Sequence, residues 1–355
     1  MEFTENTDLP SVTLCTPTFN RRPFIPSLIR SIQKQTYPQD KMEWVIVDDG
    51  TDKIEDMVKD IPNVKYFSYE TKMSLGEKRN IMHTKATGDI LVYIDDDDYY
   101  PPERVSHAVE TLQKFKHIDI VGSSAMNIYF KHINQMYTCG PYGENHATAA
   151  TFAFKRRMLA DTSYEDHTAV GEEKTFLKNY TIPLMQLDSK KTILVFSHNH
   201  NSFDKKELLQ QTNKNKFIRE SDVKVEDIVK DEETIQFILH DIDQILEGYK
   251  PGEPSNKKDV ELYMKIVKKS REEMMGHLKK QHESFQAQAN AQFEELKKTH
   301  EAKMKSVVEE FVKDNKKLKE KNTYLEQKMK TLLSELIECK GRLKILERSN
   351  LEALD

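Results

Sequence analysis

The sequence predicts an α/β domain on a mostly parallel sheet with flanking helices, followed by a long α-helical coiled coil. Three observations carry this expectation. Apolar β-branched runs alternate with helix-period segments up to Phe130. Two of those runs end in carboxylates, Asp48-Asp49 and Asp95 to Asp98. Beyond Pro254 the chain contains no proline, and apolar residues recur by fours and threes.

Val12 to Cys15 is a short apolar run closed by Thr16-Pro17, and it reads as the first strand. Phe24 to Gln35 has helical spacing, with Leu28, Ile29 and Ile32 apolar. Trp44 to Val47 is a second strand, and Ile54 to Lys59 a short helix. Val64 to Tyr69 is a third strand; Gly76 to Ala86 is helical and punctuated by Gly88. Ile90 to Ile94 is a fourth strand, and Arg104 to Phe115 a helix. Ile118 to Val121, Asn127 to Phe130 and Ile193 to Phe196 complete the strand candidates. Strand–helix repetition predicts parallel pairing, which brings both carboxylate-bearing ends to one sheet edge. From Lys205 to Glu247 the pattern turns helical, with an apolar stripe of Ile235, Ile238, Leu239, Ile242, Ile245 and Leu246. Gly248 to Ser255 reads as a linker.

Three segments follow: residues 1–204 for the sheet domain, 205–254 for a helical extension and linker, and 255–355 for the coiled coil. From Met304 to Ala353 the heptad is unbroken. With Val308 at a, Asn315, Asn322 and Asn350 also fall at a, and Leu318, Leu325, Leu332 and Leu346 at d. Leucine at d with asparagine at a predicts a parallel homodimer. As one helix this stretch would span roughly 75 Å.

Charged residues make up 32% of the 355. Residues 255–355 hold 23 Lys+Arg against 18 Asp+Glu, and the first 254 hold 31 against 41. An acidic N-terminal part argues against nucleic acid as a partner. Cys15, Cys139 and Cys339 are too widely spaced for a disulfide framework or a cysteine metal site. A reducing, cytoplasmic location is therefore expected. Met1 to Pro10 is polar and acidic, unlike a signal peptide, and no run reaches the ~20 apolar residues of a membrane span. The acceptor-like Asn179-Tyr180-Thr181 is read as chance.

Asp95-Asp96-Asp97-Asp98 follows a buried strand directly. Four like charges a few ångströms apart repel, so something should neutralise them. A hard divalent cation with oxygen ligands is the natural candidate. The bland alternative is a solvated loop and helix cap.

Thr16-Pro17-Thr18-Phe19-Asn20-Arg21 and Val45-Ile46-Val47-Asp48-Asp49-Gly50-Thr51-Asp52 resemble the opening of a family 2 glycosyltransferase of GT-A fold. Gly76-Glu77-Lys78-Arg79-Asn80, Ala86-Thr87-Gly88-Asp89-Ile90 and Ile94-Asp95-Asp96-Asp97-Asp98-Tyr99 continue the pattern in order, the last resembling the DXD segment. The resemblance covers roughly residues 10 to 200. It implies a metal-dependent, inverting transfer of a sugar from a nucleotide sugar, UDP- ahead of GDP-, to an acceptor hydroxyl. Mn²⁺ or Mg²⁺ would sit on the diphosphate. The acceptor is left open as a glycan, a protein or a small molecule.

The resemblance also implies roles. Asp97 is the metal ligand, with Asp95 beside it toward the ribose or a metal-bound water, and Asp96 sharing the work. Asp98 could instead cap the next helix. Asp49 contacts the base, with Asp48 its near alternative, and Pro17 and Thr18 lie under the nucleotide. Arg79 sits where the family places a basic group near the diphosphate; the alternative is a surface helix residue. Glu173, in Gly171-Glu172-Glu173-Lys174, takes the place of the catalytic base, where the family usually has Glu-Asp. Glu172 and the pair Glu165-Asp166 compete for that role. His198 or His200 would complete the metal shell, and as i, i+2 residues they would share one side of a strand. Ala149 to Arg156 occupies the place of the Gly-rich acceptor loop without a glycine. The alternative to an enzyme is a degenerate nucleotide-binding module on a coiled-coil scaffold.

Overall fold

The structure is a computed structural model that describes residues 9–168, 171–202, 204–209 and 216–352. The side chains of residues 271 and 347–352 are outside the description. Most of the Met1 to Pro10 segment, the heptad position Ala353 and the side chain of Asn350 therefore lie outside the described residues. The chain forms two compact units, residues 1–269 and 270–355.

The strands of the first unit are β1 (Val12–Thr18), β2 (Met42–Asp48), β3 (Val64–Ser68), β4 (Ile90–Tyr93), β5 (Ile120–Gly122), β6 (Met126–Phe130), β7 (Gln135–Cys139), β8 (Ala153–Lys155), β9 (Leu184–Gln186), β10 (Leu194–Ser197) and β11 (Ile218–Ser221). Seven of them make a sheet in the order β3-β2-β1-β4-β8-β5-β9. The pairs β3–β2, β2–β1, β1–β4 and β5–β9 are parallel. The sheet is mostly parallel as expected, with four parallel pairs; the antiparallel β8, between β4 and β5, makes the other two. A second sheet, β10-β6-β7-β11, has one parallel and two antiparallel pairs. Strands β7, β8, β9 and β11 were not legible in the sequence. They are three to five residues long, too short for a periodic signal.

Helices α1 (Ile25–Gln33), α2 (Glu55–Val58), α3 (Leu75–Lys85) and α4 (Arg104–Lys114) fall where the spacing places them. Pro26 enters the first turn of α1, where a missing N–H costs nothing. Ser74 caps α3 by accepting the N–H of Glu77 at 3.1 Å. Both sheet faces are covered. Leu14, Ile46 and Val92 pack into a core with α1 and α4, while Cys15, Val45 and Tyr93 face a second core with Met82 of α3. Adjacent residues of one strand thus serve different cores, as the period of two requires. This is why β1 is buried along its whole length.

Toward the C-terminus come α5 (Glu173–Phe176), α6 (Lys206–Leu209), α7 (Val225–Ile228), α8 (Glu232–Gln236) and α9 (Ile242–Glu247). A π turn over Phe237–Asp241 joins α8 to α9, and Ile238, Ile242 and Leu246 of the expected stripe are buried. The last helix, α10, runs Lys258–Glu352. Its heptad residues Val308, Leu318, Leu325, Leu332 and Leu346 are each at least half exposed. No helix among the described residues is long and apolar enough to cross a membrane.

Candidate active site

Parallel pairing of β1 with β2 and β4 sets Cys15 opposite Tyr93 and Thr18 opposite Asp48. The carboxylates after β2 and β4 therefore emerge at one edge, on either side of the β1 end. Pro17, Phe19, Arg21, Lys72, Lys78, Asp95, Asp96, Asp97, Ser202 and Lys257 are among the residues lining a cleft there, of about 140 Å³. A larger cavity of about 820 Å³, beside Asp89 and Lys116, lies at the other end of β4, away from the aspartates.

The four aspartates have separate fates. Asp97 Oδ2 lies 3.0 Å from the Arg21 guanidinium and 3.4 Å from His198 Nε2. Burial opposes its charge, yet Arg21 and the hydrogen bond to His198 hold it well below the usual carboxylate range. Burial pushes Asp96 up to about 7 against the pull of Arg21, whose Nε is 3.6 Å away. Asp95 is raised by burial and opposed by Arg79, at 3.5 Å. Burial, then Asp97, push Asp98 well above the usual range, and its buried Oδ1 has no partner. The expected helix cap is not made by Asp98. Helix α4 starts at Arg104 behind Glu103, whose side chain makes no cap; the first-turn N–H of Val105 is instead accepted by Gln35 Oε1 at 3.1 Å. An aspartate six residues ahead of the first helical residue cannot reach its free N–H groups.

Among the described residues, no group of three or more His, Cys, Asp or Glu is arranged to hold a metal ion. The Asp97–His198 pair nevertheless combines an oxygen and a nitrogen donor suited to a divalent cation. Burial pushes His198 down to about 3, which favours the neutral ring; its Nδ1 accepts the His200 N–H, so the Nε2 proton faces Asp97 and would have to leave for that nitrogen to ligate. His198 and His200 do not share one side. Strand β10 ends at Ser197, and the turn beyond it breaks the alternation. His198 packs on Phe24 and Phe196 and faces Asp97; His200 stacks on Tyr249.

Arg79 is not a surface residue of α3. It is 1% exposed, donates from Nε to Glu172 Oε1 at 3.1 Å and lies over the Tyr93 ring at 4.3 Å. Glu172 is thereby committed to an ion pair. Burial, then Glu172, push the neighbouring Glu173 carboxyl up to about 7. The competing Glu165 and Asp166 are exposed, and Asp166 accepts from Asn80 at 2.8 Å.

Asp49 is buried, with Oδ1 2.8 Å from Lys78 Nζ and Oδ2 2.6 Å from the Met73 N–H. Asp48 is spoken for by the N–H groups of Gly50 and Ile54 and by the Tyr66 hydroxyl. Thr18 is buried at the end of β1, and Pro17 lines the cleft. Gly50 admits the close approach: a Cβ there would stand 2.6 Å from the Asn20 nitrogen. The segment Ala149 to Arg156 forms a short 3₁₀ turn and β8 instead of an open loop.

Four basic residues that line the cleft, Arg21, Lys72, Lys78 and Lys257, carried no role in the sequence reading. Arg21 stood inside the first motif; the signal was an arginine just past a strand that faces an aspartate run. Lys257 had no local signal at all, being one of 23 Lys+Arg after residue 254. It is 7% exposed and donates to Ser202 Oγ at 2.6 Å. Burial, then Arg21, push its ammonium well below the usual lysine range, against the pull of Asp97 and Asp96.

The family profile described as "Glycosyl transferase family 2" matches residues 13–169. The poly(ribitol-phosphate) β-N-acetylglucosaminyltransferase TarS of Staphylococcus aureus is 31% identical over 110 residues, 30% of this chain and 19% of that protein. The GalNAc(5)-diNAcBac-PP-undecaprenol β-1,3-glucosyltransferase of Campylobacter jejuni is 29% identical over 112 residues, 30% of this chain and 34% of that protein. The chain thus spans about a fifth to a third of the length of these relatives. Among solved structures, S. aureus TarS 1–349 in complex with UDP aligns at 21% identity and TM-score 0.44, covering 54% of this chain and 61% of that one. A Pyrobaculum calidifontis mannosyltransferase in complex with GDP-Man and Mn²⁺ aligns at 20% identity and TM-score 0.43, covering 53% and 57%. Residues 13–169 are thus similar to the family 2 glycosyl transferases, on a GT-A-like sheet with flanking helices.

Proposed function

We propose that this protein is an inverting glycosyltransferase that moves a sugar from a nucleotide sugar, UDP- ahead of GDP-, to an acceptor hydroxyl. One observation carries the reading. Asp95, Asp96 and Asp97 line a cleft at the carboxyl edge of parallel strands, together with the basic Arg21, Lys78 and Lys257. A leaving diphosphate needs such a concentration of charge-neutralising groups. Asp97 and His198 would hold a Mn²⁺ or Mg²⁺ ion, which when bound neutralises the diphosphate as a Lewis acid. Pro17 and Thr18 would floor the nucleotide.

Glu173 is the base in this reading. Its carboxyl, raised to about 7, suits a group that must accept a proton from a sugar or alcohol hydroxyl near neutral pH. Arg79 positions it indirectly, by fixing Glu172 one residue before. The direct test is release of UDP or GDP by the full chain, from a panel of sugar nucleotides with Mn²⁺ and mixed acceptors. Absence of both turnover and nucleotide binding would sink the proposal.

The degenerate nucleotide-binding module on a scaffold is favoured by one fact. Both carboxylate oxygens of Asp49, the expected base contact, are already engaged. Tight UDP binding without turnover would support that reading. The exposed heptad residues of α10 support a further proposal, a parallel homodimer through that helix, with Cys339 at a d position as a free thiol. The enzyme reading has a nucleotide sugar and an acceptor as partners and the alternative the nucleotide alone; both carry the proposal of no nucleic-acid partner and a cytoplasmic location.

A further inference from the structure

Around the cleft, the basic side chains are already committed. Arg21 pairs with Asp97 at 3.0 Å, Lys72 with Asp259 at 2.6 Å and Lys78 with Asp49 at 2.8 Å. Lys257 is the exception. Among the described residues no carboxylate lies within 4 Å of its ammonium, and one of its three donors is taken by Ser202. A lysine more than nine-tenths buried with donors to spare, beside a run of aspartates, is costly unless something anionic completes it.

The segment that carries Lys257 is fastened down residue by residue. Tyr249 donates its hydroxyl to Asp52 at 2.9 Å. The carbonyl of Pro251 accepts from Asn20 Nδ2 at 2.9 Å. Asn20, in the left-handed region at φ 54°, also accepts from the N–H groups of Thr51 and Asp52. Gly252 lies so close to His200 and Asn20 that a Cβ there would stand 2.7 and 2.9 Å from their atoms. The stretch expected as a free linker is therefore a strap, tied to the loops after β1, β2 and β10. The cleft it borders, about 140 Å³, is smaller than the ~300 Å³ at which ligand pockets begin. A nucleotide sugar needs more room than this.

We propose that Lys257, lying outside the family-matched region and delivered by this strap, is a diphosphate ligand of the donor site. This rests on the donor-site reading given under Proposed function. The ammonium donates to a bridging or β-phosphate oxygen, and the strap closes on the diphosphate more than on the nucleoside. Lys257 recognises charge, so it acts on the second phosphate and leaves the base and the sugar class unread.

The test is calorimetric titration of the full chain with UDP and GDP in Mn²⁺, and then with the monophosphate of whichever base binds. Lys257→Met is expected to weaken the diphosphate about 10- to 100-fold, as loss of a charge-assisted hydrogen bond does. The monophosphate should weaken by less than about threefold, and Lys257→Arg should recover most of the loss. Equal losses for mono- and diphosphate would reduce Lys257 to packing the strap, and an unchanged diphosphate affinity would remove it from the site; either overturns the inference. If the unaltered chain binds neither UDP nor GDP, the donor-site reading itself falls, and the inference with it. Circular dichroism melts of both variants separate misfolding from lost binding; should Lys257→Met fail to fold, the Lys257→Gln variant takes the same titration.

Discussion

Arg79 of α3 bridges two carboxylates that are far apart in the chain, reaching Glu172 at 3.1 Å and Asp95 at 3.5 Å. Burial works against its charge, but Asp95 and Glu172 together keep the guanidinium well above its usual range. The bridge links the aspartate run after β4 to the acidic pair at the start of α5. It also divides the labour of that pair: Glu172 is held in the ion pair, and Glu173 is left with a raised carboxyl.

Removing the bridge leaves the buried Glu172 and the partly exposed Asp95 uncompensated. Arg79→Met should destabilise the sheet unit by about 3 kcal/mol, toward the low end for a broken buried ion pair because Asp95 is partly exposed. Urea denaturation followed by tryptophan fluorescence reports it, since Trp44 is buried in the core of that unit. A loss below about 0.5 kcal/mol would mean that the pair contributes little.

Asp97 and Asp98 should respond in opposite ways. Asp97→Asn is expected to lower cation-dependent turnover by about 100-fold or more, as loss of a charge-stabilising group does. Burial, then the Asp97 charge, hold the Asp98 carboxyl well above the usual carboxylate range. Asp98→Asn should cost less than about 1 kcal/mol of stability and leave Mn²⁺ binding in place, because the buried Oδ1 has no partner to lose and the amide keeps the shape of the side chain. Mn²⁺ titration by electron paramagnetic resonance with UDP present distinguishes the two.

Glu173 sets a pH dependence with a definite sign. A base works when deprotonated, so kcat should rise with pH through about 7. Glu173→Gln should lower kcat about 100- to 10,000-fold and abolish that rise. The stability linkage runs the other way. A carboxyl raised from 4.5 to about 7 on folding contributes stability that is fully present below pH 4.5 and is lost as pH rises through 7. Chemical denaturation at pH 5 and pH 8 should show Glu173→Gln losing less stability over that interval than the unaltered chain. A pH–rate profile that Glu173→Gln leaves unchanged in shape would exclude this residue as the base.

Gly252→Ala tests the strap. The added Cβ would meet His200 Nδ1 and the Asn20 carbonyl oxygen, so the strap must shift. The expected cost is about 1–3 kcal/mol, the range for overpacking a tight contact. Limited proteolysis should cut the variant between Gly248 and Ser255 faster than the unaltered chain, and equal rates would show that the contact is dispensable.

The exposed seam of α10 makes a separate prediction. Light scattering at micromolar concentration should return about twice the 41.5 kDa chain mass. Leu325→Glu with Leu332→Glu places charges at two d positions and should return the monomer. A monomer mass for the unaltered chain would end the proposal.

Much of this architecture was legible because its signals are local. Apolar β-branched runs placed β1, β2, β3 and β4 to within a residue or two at most ends, and heptad spacing anticipated the helical course of α10. The carboxylate-ending runs put Asp49 and Asp95 to Asp98 at one sheet edge, because parallel strands necessarily share their ends. What the sequence could not express is pairing across distance. The antiparallel β8 enters the sheet between β4 and β5 through three residues. Arg21 and Arg79 supply much of the positive charge that the sequence alone suggested a metal would bring, and Lys257 reaches the cleft by a strap anchored 231 residues away at Asn20. Composition and period decide which segments become strands and helices, since those choices depend on neighbours a few residues apart. Which charge meets which depends on the closed fold, since burial makes an unpaired carboxylate costly and only the folded chain brings its partner within 4 Å.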